Sequence, residues 1–306
     1  MRLSLCAQPC SPDMNTAIFE GVWIPLVTPM TGANGAQIDR NAFARLVDYY
    51  LAAGVNGLVV AGTTGEGTLL DDDERRWLVE TACHLAHGHA PVVAGVGAAD
   101  TANAAQQIRN IEDLPLAGYL VPPPYYLRPS QEGILWHYRT LAAGTRKPLV
   151  LYNVPLRTGV TLGVETIREL ASHDAFAAIK ECDAHPLLHL PSQVTMRVLC
   201  GDDMQLLPAL QAGAVGCISA AAHIRPDLYL KLFRYVREGD MTHATTLFNG
   251  MKPLIRRLFS EPNPVAIKAA LASLGLCPET VRRPLMPCTP ALRREIDTQL
   301  EVTMAF

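Results

Sequence analysis

The chain has 306 residues, of which 49% are apolar and 18% charged, and its formal net charge is −3. This composition is typical of a globular protein and excludes an intrinsically disordered or collagen-like chain. Without a basic excess, neither a nucleic acid nor an anionic membrane is an expected partner, and no apolar run in the sequence is long enough to span a bilayer.

The N-terminal segment and the cysteines bear on the cellular compartment. Residues 1–17 resemble a signal peptide only weakly, because the apolar stretch before Cys6 is too short. We therefore expect an N-terminal extension and a cytoplasmic location. The eight cysteines include no CxxC pair and no cysteine–histidine set at zinc spacing, so we expect reduced thiols and no metal site.

Eight short apolar runs are spaced along the chain. Runs of this kind predict strands that are buried on both faces, as in a parallel sheet. The predicted strands cover residues 22–27, 57–60, 91–94, 118–121, 148–152, 176–179, 197–200 and 215–219.

The segments between the runs have apolar residues at intervals of three and four, which predicts amphipathic helices. Asp39 is a predicted N-cap of the first helix, and Gly54 is predicted to end it. Further helices are predicted over residues 73–87, 101–108, 130–141, 164–170, 205–211, 226–238, 242–259, 265–274 and 289–302.

The alternation of strands and helices decides the predicted fold. Eight strands, each followed by a helix, favour a closed (β/α)₈ TIM barrel, and an open doubly wound sheet is the alternative. The helical patterns after the last strand predict a C-terminal helical domain. We thus expect an extension over residues 1–17, a barrel domain over 18–240 and a helical domain over 241–306.

Lys180 follows one predicted strand directly, at the barrel end where catalytic side chains gather. It is the only one of the five lysines at the end of a strand predicted to be buried. Because burial lowers the pKa of an ammonium, we predict a neutral amine that forms a Schiff base with a carbonyl compound. An ion pair between Lys180 and Glu181 is the structural alternative.

Two other side chains follow the preceding strand. Tyr152 ends the run at 148–152 and is a candidate for proton transfer to an intermediate on the lysine. Arg157 offers a guanidinium fork that suits a carboxylate. The structural alternatives are a tyrosine packed at the barrel rim and an exposed surface arginine.

Three loops after other strands carry polar groups. The glycine-rich loop 62–67 presents the hydroxyls of Thr63 and Thr64 and suits a small carboxylate, because it lacks both the P-loop lysine and the GxGxxG order. Three prolines stiffen the arm that presents Tyr125 and Tyr126, either to a site or to an interface. In the third loop, we favour Asp202 or Asp203 as a helix N-cap.

Taken together and in this order, the motifs resemble the dihydrodipicolinate synthase / N-acetylneuraminate lyase family of Schiff-base pyruvate aldolases. The likeness runs from about Ile18 into the C-terminal region. It rests on Gly62-Thr63-Thr64-Gly65-Glu66, Pro124-Tyr125-Tyr126, Tyr152-Asn153-Val154-Pro155, Arg157-Thr158-Gly159, Ile179-Lys180-Glu181, Gly201-Asp202-Asp203 and Glu261-Pro262-Asn263-Pro264.

The resemblance implies a reaction. Lys180 would form a Schiff base with pyruvate, and the derived enamine would attack aspartate semialdehyde to give 4-hydroxy-tetrahydrodipicolinate, without a metal or organic cofactor. Arg157 favours this synthase branch. The alternatives are a related aldolase or lyase that acts on another 2-oxo acid, and a binding or regulatory protein that retains the fold without catalysis.

The resemblance also implies catalytic roles and an assembly. Tyr152 would be the general acid and base, and Thr63 and Tyr126 would complete a proton relay. Tyr126 would reach in from a neighbouring subunit, so the protein would be a homo-oligomer, at least a dimer and most simply a tetramer.

Substrate binding is implied for a second set of residues. Thr64 and the backbone of Ile218 would bind the carboxylate of pyruvate, and Arg157 would bind that of the semialdehyde. Gly201 belongs to the same substrate-binding set.

Overall fold

The computed structural model describes residues 18–304, so the predicted N-terminal extension lies outside the described residues. The strands are β1 (Gly21–Pro25), β2 (Met30–Thr31), β3 (Gln37–Ile38), β4 (Gly57–Val60), β5 (Val92–Gly95), β6 (Gly118–Val121), β7 (Leu149–Asn153), β8 (Phe176–Glu181), β9 (Arg197–Cys200) and β10 (Gly216–Ile218).

Eight of these strands form a closed parallel barrel. Its order is β1-β10-β9-β8-β7-β6-β5-β4, and β4 pairs with β1 to complete the circle. All eight predicted strands are present, each within two residues of its predicted ends. The closure confirms the TIM barrel and excludes the open doubly wound sheet. The antiparallel pair β2–β3, which was not predicted, is only two residues long in each strand.

The helices surround the barrel and continue beyond it. They are α1 (Arg40–Ala52), α2 (Asp72–Ala86), α3 (Thr101–Arg109), α4 (Gln131–Ala143), α5 (Pro155–Thr158), α6 (Val164–Ala171), α7 (Ala184–Leu187), α8 (Leu206–Gln211), α9 (Pro226–Arg237), α10 (Met241–Leu258), α11 (Val265–Ser273) and α12 (Pro290–Met304). Only α5 and α7 were not predicted, because four residues are too few to show a helical period.

Helix caps agree with the local sequence. The side chain of Asp39 accepts a hydrogen bond from the amide of Ala42 at 2.9 Å, which confirms the predicted N-cap of α1. The side chain of Asp202 caps the turn over Asp203–Gln205 in the same way, through the amide of Met204 at 2.9 Å.

The barrel separates two apolar layers. The outer layer lies between strands and helices, whereas the inner one fills the barrel. Each barrel strand contributes to the inner layer, through Trp23, Val59, Val93, Leu120, Val150, Ala178, Leu199 and Ile218. Side chains alternate along a strand. The side chains two positions beyond Val150 and Ala178, those of Tyr152 and Lys180, therefore face the interior at its carboxyl end.

The C-terminal helices form a layer of their own. Helices α10, α11 and α12 pack against one another, and α9 contacts α10. Phe248, Ile296 and Leu300 are buried between them. The predicted C-terminal helical domain is therefore present, whereas the domain boundary at residue 240 stays a prediction.

A buried histidine joins β1 to the end of the barrel. The His223 side chain is fully buried; its Nε2 accepts from the amide of Val27 at 3.2 Å, and its Nδ1 donates to the carbonyl of Ala220 at 2.8 Å. Burial lowers the pKa of His223 to about 4. Protonation would remove the acceptor for Val27, so the fold requires the neutral imidazole.

This histidine predicts a loss of stability in acid. A histidine with a lowered pKa stabilises the fold above its unfolded pKa of 6.5 and loses that contribution as the pH falls toward 4. Between pH 7.5 and pH 5, the wild type should lose about 2 kcal/mol more than His223→Gln. Urea unfolding at the two pH values measures this difference.

The matched control is His87→Gln, at an exposed position beyond the end of α2. It should keep the pH dependence of the wild type. Equal pH dependence in the wild type and His223→Gln would contradict the assignment.

Candidate active site

Adjacent strands bring Lys180 and Tyr152 together. The two residues are direct partners in the β7–β8 register. The Lys180 Nζ lies 4.6 Å from the centre of the Tyr152 ring, and each residue is only 7% exposed. The lysine therefore ends in the barrel mouth beside a phenol, not in bulk solvent.

Glu181 does not pair with Lys180, since it points to the other side of the strand. Both of its carboxylate oxygens accept from the Asn153 amide, at 3.0 and 2.8 Å, and one accepts from the backbone of Asp183 at 2.7 Å. Burial raises the pKa of Glu181 to about 7. The alternative of a structural Lys180–Glu181 ion pair is therefore excluded.

The charge of Lys180 differs from the prediction. Burial lowers the pKa of its amine, but the facing groups of Tyr152, Cys182 and Asp203 raise it more, so the net pKa is above the ordinary value. The prediction of a neutral amine is thus wrong for the free protein. The sequence showed that the lysine is buried, but not which acidic groups share its cavity.

The phenol opposite the lysine stays protonated. Burial raises the pKa of Tyr152, whereas Lys180 and a hydrogen bond with Thr63 lower it by less. The free site thus holds an ammonium against a neutral phenol. Tyr152 therefore contacts both the Thr63 hydroxyl, through this hydrogen bond, and the Lys180 side chain.

The two threonines follow β4 in a tightly folded loop. Thr64 is 3% exposed, and its Oγ1 accepts from the Nδ2 of Asn263 at 2.9 Å. A Cβ on Gly67 would lie 1.9 Å from the carbonyl oxygen of Ala61, so only glycine permits the chain to fold back there. The loop thereby places Thr63 against Tyr152.

Gly201 directly follows β9, and Ile218 is the last residue of β10. A Cβ on Gly201 would lie 2.9 Å from the Cε of Lys180 and 2.3 Å from the Sγ of Cys182. A glycine is therefore needed to leave space for the lysine stem. Ile218 ends β10 and is 3% exposed within the inner layer.

A buried carboxyl group lies beneath the lysine. Ser219 and Tyr229 both donate hydrogen bonds to Asp203, whose pKa burial raises to about 6. The sequence prediction left Asp202 and Asp203 as alternative caps. Asp202 is the cap, and Asp203 instead adds to the negative potential around Lys180.

A cavity of about 350 Å³ opens beside Tyr152, whereas Lys180 itself is not among the residues that line it. Its lining includes Thr63, Tyr152, Tyr125, Arg157 and Asn263. The side chain of Arg157 is exposed at the mouth, and its Nη2 approaches the carbonyl of Asn263 at 3.5 Å. The size suits a small substrate, and the mouth presents a cation.

Tyr126 does not join this cavity within the chain. It is 87% exposed, with a φ of +71°, and the following Leu127 is 63% exposed. The structure thus brings together Lys180, Tyr152 and Thr63 but leaves Tyr126 on the surface.

Two features of the site were not assigned from the residues. Asn263 supplies the side chain that bonds Thr64, yet no strand or helix pattern marks it. Asp203 was read as a cap. A role for Asn263 could have been indicated only by the family resemblance, because one of its motifs contains this residue.

Comparison with known proteins decides the family. The sequence model of the dihydrodipicolinate synthetase family matches residues 18–303. The chain belongs to this family. That result confirms the resemblance stated from the motifs and accounts for the barrel with its C-terminal helices.

Among members of the dihydrodipicolinate synthetase family, the 4-hydroxy-tetrahydrodipicolinate synthase of Pelobacter propionicus is 38% identical over 281 residues, covering 90% of this chain and 96% of that protein. The chloride-inhibited dihydrodipicolinate synthase of Acinetobacter baumannii, solved with pyruvate, is 32% identical with a TM-score of 0.89, and the match covers 94% and 99% of the two chains. A monomeric dihydrodipicolinate synthase variant is 32% identical with a TM-score of 0.91, over 95% and 99%.

The part of the chain that the structure describes has neither a metal-binding cluster nor a membrane-spanning helix. Within residues 18–304, no group of three or more His, Cys, Asp or Glu side chains is arranged to hold a metal ion. In the same part of the chain, no helix has the length and apolarity to cross a membrane.

The charge of Lys180 predicts its reactivity with a small aldehyde. Because the amine is protonated, reductive methylation with formaldehyde and cyanoborohydride should accelerate about tenfold per pH unit from pH 6 to 9. Peptide mass spectrometry measures the rate at Lys180, with the half-buried Lys252 as the internal control. A plateau at Lys180 while Lys252 continues to rise would show that the amine is neutral.

Proposed function

We propose that the protein is a 4-hydroxy-tetrahydrodipicolinate synthase, a lyase of the class I aldolase type that condenses pyruvate with aspartate semialdehyde. The observation that carries this proposal is the buried Lys180 beside Tyr152, which together with Thr63 and Arg157 lines a cavity. The names of the relatives support this substrate pair over another 2-oxo acid.

The first half of the reaction builds the nucleophile on Lys180. The ammonium loses a proton, and its nitrogen attacks the ketone carbon of pyruvate to give a carbinolamine. Loss of water leaves the protonated Schiff base, which withdraws electrons from the adjacent methyl group. Removal of a methyl proton then gives the enamine. Tyr152 is near enough to Nζ to carry these protons.

The second half joins the two substrates. The enamine carbon attacks the aldehyde carbon of the semialdehyde, whose oxygen takes up a proton. The amine of the new chain attacks the carbon bound to Lys180, closes the ring and releases the lysine. Arg157 is the cation at the cavity mouth and would bind the carboxylate of the semialdehyde. Thr64, Gly201 and the backbone of Ile218 would bind pyruvate.

The proton relay requires a second copy of the chain. Tyr126 and Leu127 are exposed, and Leu156 on α5 is fully exposed as well. Apolar side chains this exposed favour a subunit contact. The second copy would insert its own Tyr126 toward Tyr152 and Thr63. We propose at least a dimer, and a tetramer as a pair of dimers, although a monomeric variant among the relatives shows that assembly differs within the fold.

We also propose that the protein acts in the cytoplasm. The six cysteines among the described residues are free thiols. Reduced thiols are typical of that compartment.

Substitution of Lys180 tests the reaction. Reduction with borohydride in the presence of pyruvate should add the mass of a reduced pyruvate adduct to Lys180, and Lys180→Met should abolish both the adduct and the condensation with the semialdehyde. Lys231→Met, at an exposed position on α9, is the matched control and should behave as wild type. An unlabelled wild-type protein would refute the proposal.

Substitution of Arg157 tests the second substrate. Arg157→Ala should raise the KM for aspartate semialdehyde by roughly tenfold or more, since hydrogen bonds between charged groups contribute about 1.5–3 kcal/mol. The rate of pyruvate trapping should not change. Arg139→Ala, on the surface of α4, serves as the control. An unchanged KM would remove Arg157 from the site.

Mixed oligomers test the role of Tyr126. Lys180→Met and Tyr126→Phe subunits should each have little activity alone. A co-expressed hybrid, purified through two different tags, should regain about half of the wild-type activity, because one of its two sites then has both residues. Activity no higher than that of the parents would show that Tyr126 does not act across the interface.

A further inference from the structure

The loop that carries the two threonines contains a buried charge. Glu66 follows Thr64 by two residues and is 3% exposed. Its φ of +56° and ψ of +33° place it in the left-handed region, which is unfavourable for a residue with a side chain. The surrounding structure must therefore maintain this conformation.

The groups that contact the Glu66 carboxylate come from the C-terminal region. One oxygen accepts from the Nζ of Lys268 on α11, and the other accepts from the backbone amide of Arg282 at 2.7 Å. The side chains of Lys268 and Glu66 are both fully buried. Lys268 also donates to the carbonyl of Thr280 at 2.8 Å.

Arg282 adds further contacts between the C-terminal region and the segment that follows Glu66. The Nη1 of Arg282 donates to the carbonyl of Leu69 at 2.8 Å, and its guanidinium forms two hydrogen bonds with Glu74 on α2, at 2.6 and 2.7 Å. On the other side of Glu66, Asn263 bonds Thr64. The C-terminal region thus contacts the loop before, at and after its strained residue.

A buried ion pair contributes little net stability, because the cost of removing two charges from water offsets their attraction. Such a pair does constrain geometry, since each partner would be left as an unpaired buried charge if the contact broke. Here the geometry that it fixes is that of the loop whose Thr63 hydroxyl contacts Tyr152.

We propose that Lys268 and Glu66 are positioning residues for catalysis: their buried ion pair lets the C-terminal helical domain set the conformation of the loop that presents Thr63 and Thr64. This inference rests on the proposed function and adds a role that the reacting groups alone do not require.

The test measures the rate of Schiff-base formation in folded variants. Glu66→Gln keeps the side-chain shape and removes the charge, and Lys268→Met keeps the length of the stem. Each should lower kcat/KM for pyruvate at least tenfold, with the loss mainly in kcat. Saturating pyruvate and borohydride should still label Lys180, but at least tenfold more slowly.

The double variant and a charge-preserving variant separate positioning from general damage. Because the pair acts as one unit, Glu66→Gln/Lys268→Met should be no slower than the slower single variant. Lys268→Arg keeps the positive charge and should retain more activity than Lys268→Met. A double variant with the product of the two single losses would contradict coupling through the pair.

Two controls address charge and stability. Lys252→Met removes a half-buried lysine on α10, whose Nζ bonds Asn249 and lies 4.8 Å from the centre of the Phe248 ring, and should leave the rates unchanged. Ile296→Ala opens a cavity in α12 and should lower Tm while leaving the rate of trapping at 25 °C as in wild type. Equal rate losses in Ile296→Ala and Lys268→Met at equal Tm would mean that Lys268 is only structural.

The outcomes distinguish the two proposals. If pyruvate does not label the wild type, the proposed function is wrong. If the wild type is labelled and both single variants trap pyruvate at the wild-type rate, the positioning role is wrong while the function stands. Should Lys268→Met not fold, Glu66→Gln decides the question, since its shape matches the native side chain.

Discussion

The pairing of β7 with β8 is the constraint on which the site depends. It makes Tyr152 and Lys180 direct neighbours, both on the inner face of the barrel and both at its carboxyl end. A shift of β8 by one residue against β7 would turn Lys180 toward the helices while Tyr152 stayed on the inner face. The barrel thus converts two residues that are distant in sequence into one reactive pair.

The pKa of Lys180 results from two opposing effects, which are burial and the interactions with neighbouring groups. Burial alone would lower the pKa of Lys180, but its interactions with Tyr152, Cys182 and Asp203 raise it above the ordinary value. Tyr152 lies beside Lys180 and shares a hydrogen bond with Thr63, which is the path that the proposed proton relay would use. A resting ammonium is therefore compatible with nucleophilic chemistry, provided that the relay operates when the substrate arrives.

The C-terminal helices belong to the site as much as the strands do. Asn263 reaches Thr64, and Lys268 reaches Glu66, so both sides of the threonine loop are attached to the same region. Strand ends place the lysine and the tyrosine, whereas the loop has no regular structure of its own to fix the threonines. Contacts from a second region supply that constraint, which links the stability of the C-terminal helices to the chemistry in the barrel.

The sequence by itself determined the repeating elements and the positions of Lys180 and Tyr152 at strand ends, because strand burial and side-chain alternation are local patterns. It favoured a closed barrel over an open sheet, but only the pairing of β4 with β1 in the tertiary structure decided between them. It also identified the family through motifs in a fixed order. It could not show that Lys180 stays charged or that Asp203 lies beneath it, since pKa values depend on groups that only folding brings together. The buried pair of Glu66 and Lys268 was equally hidden, because its partners are 202 residues apart and neither belongs to a periodic pattern that predicts contact.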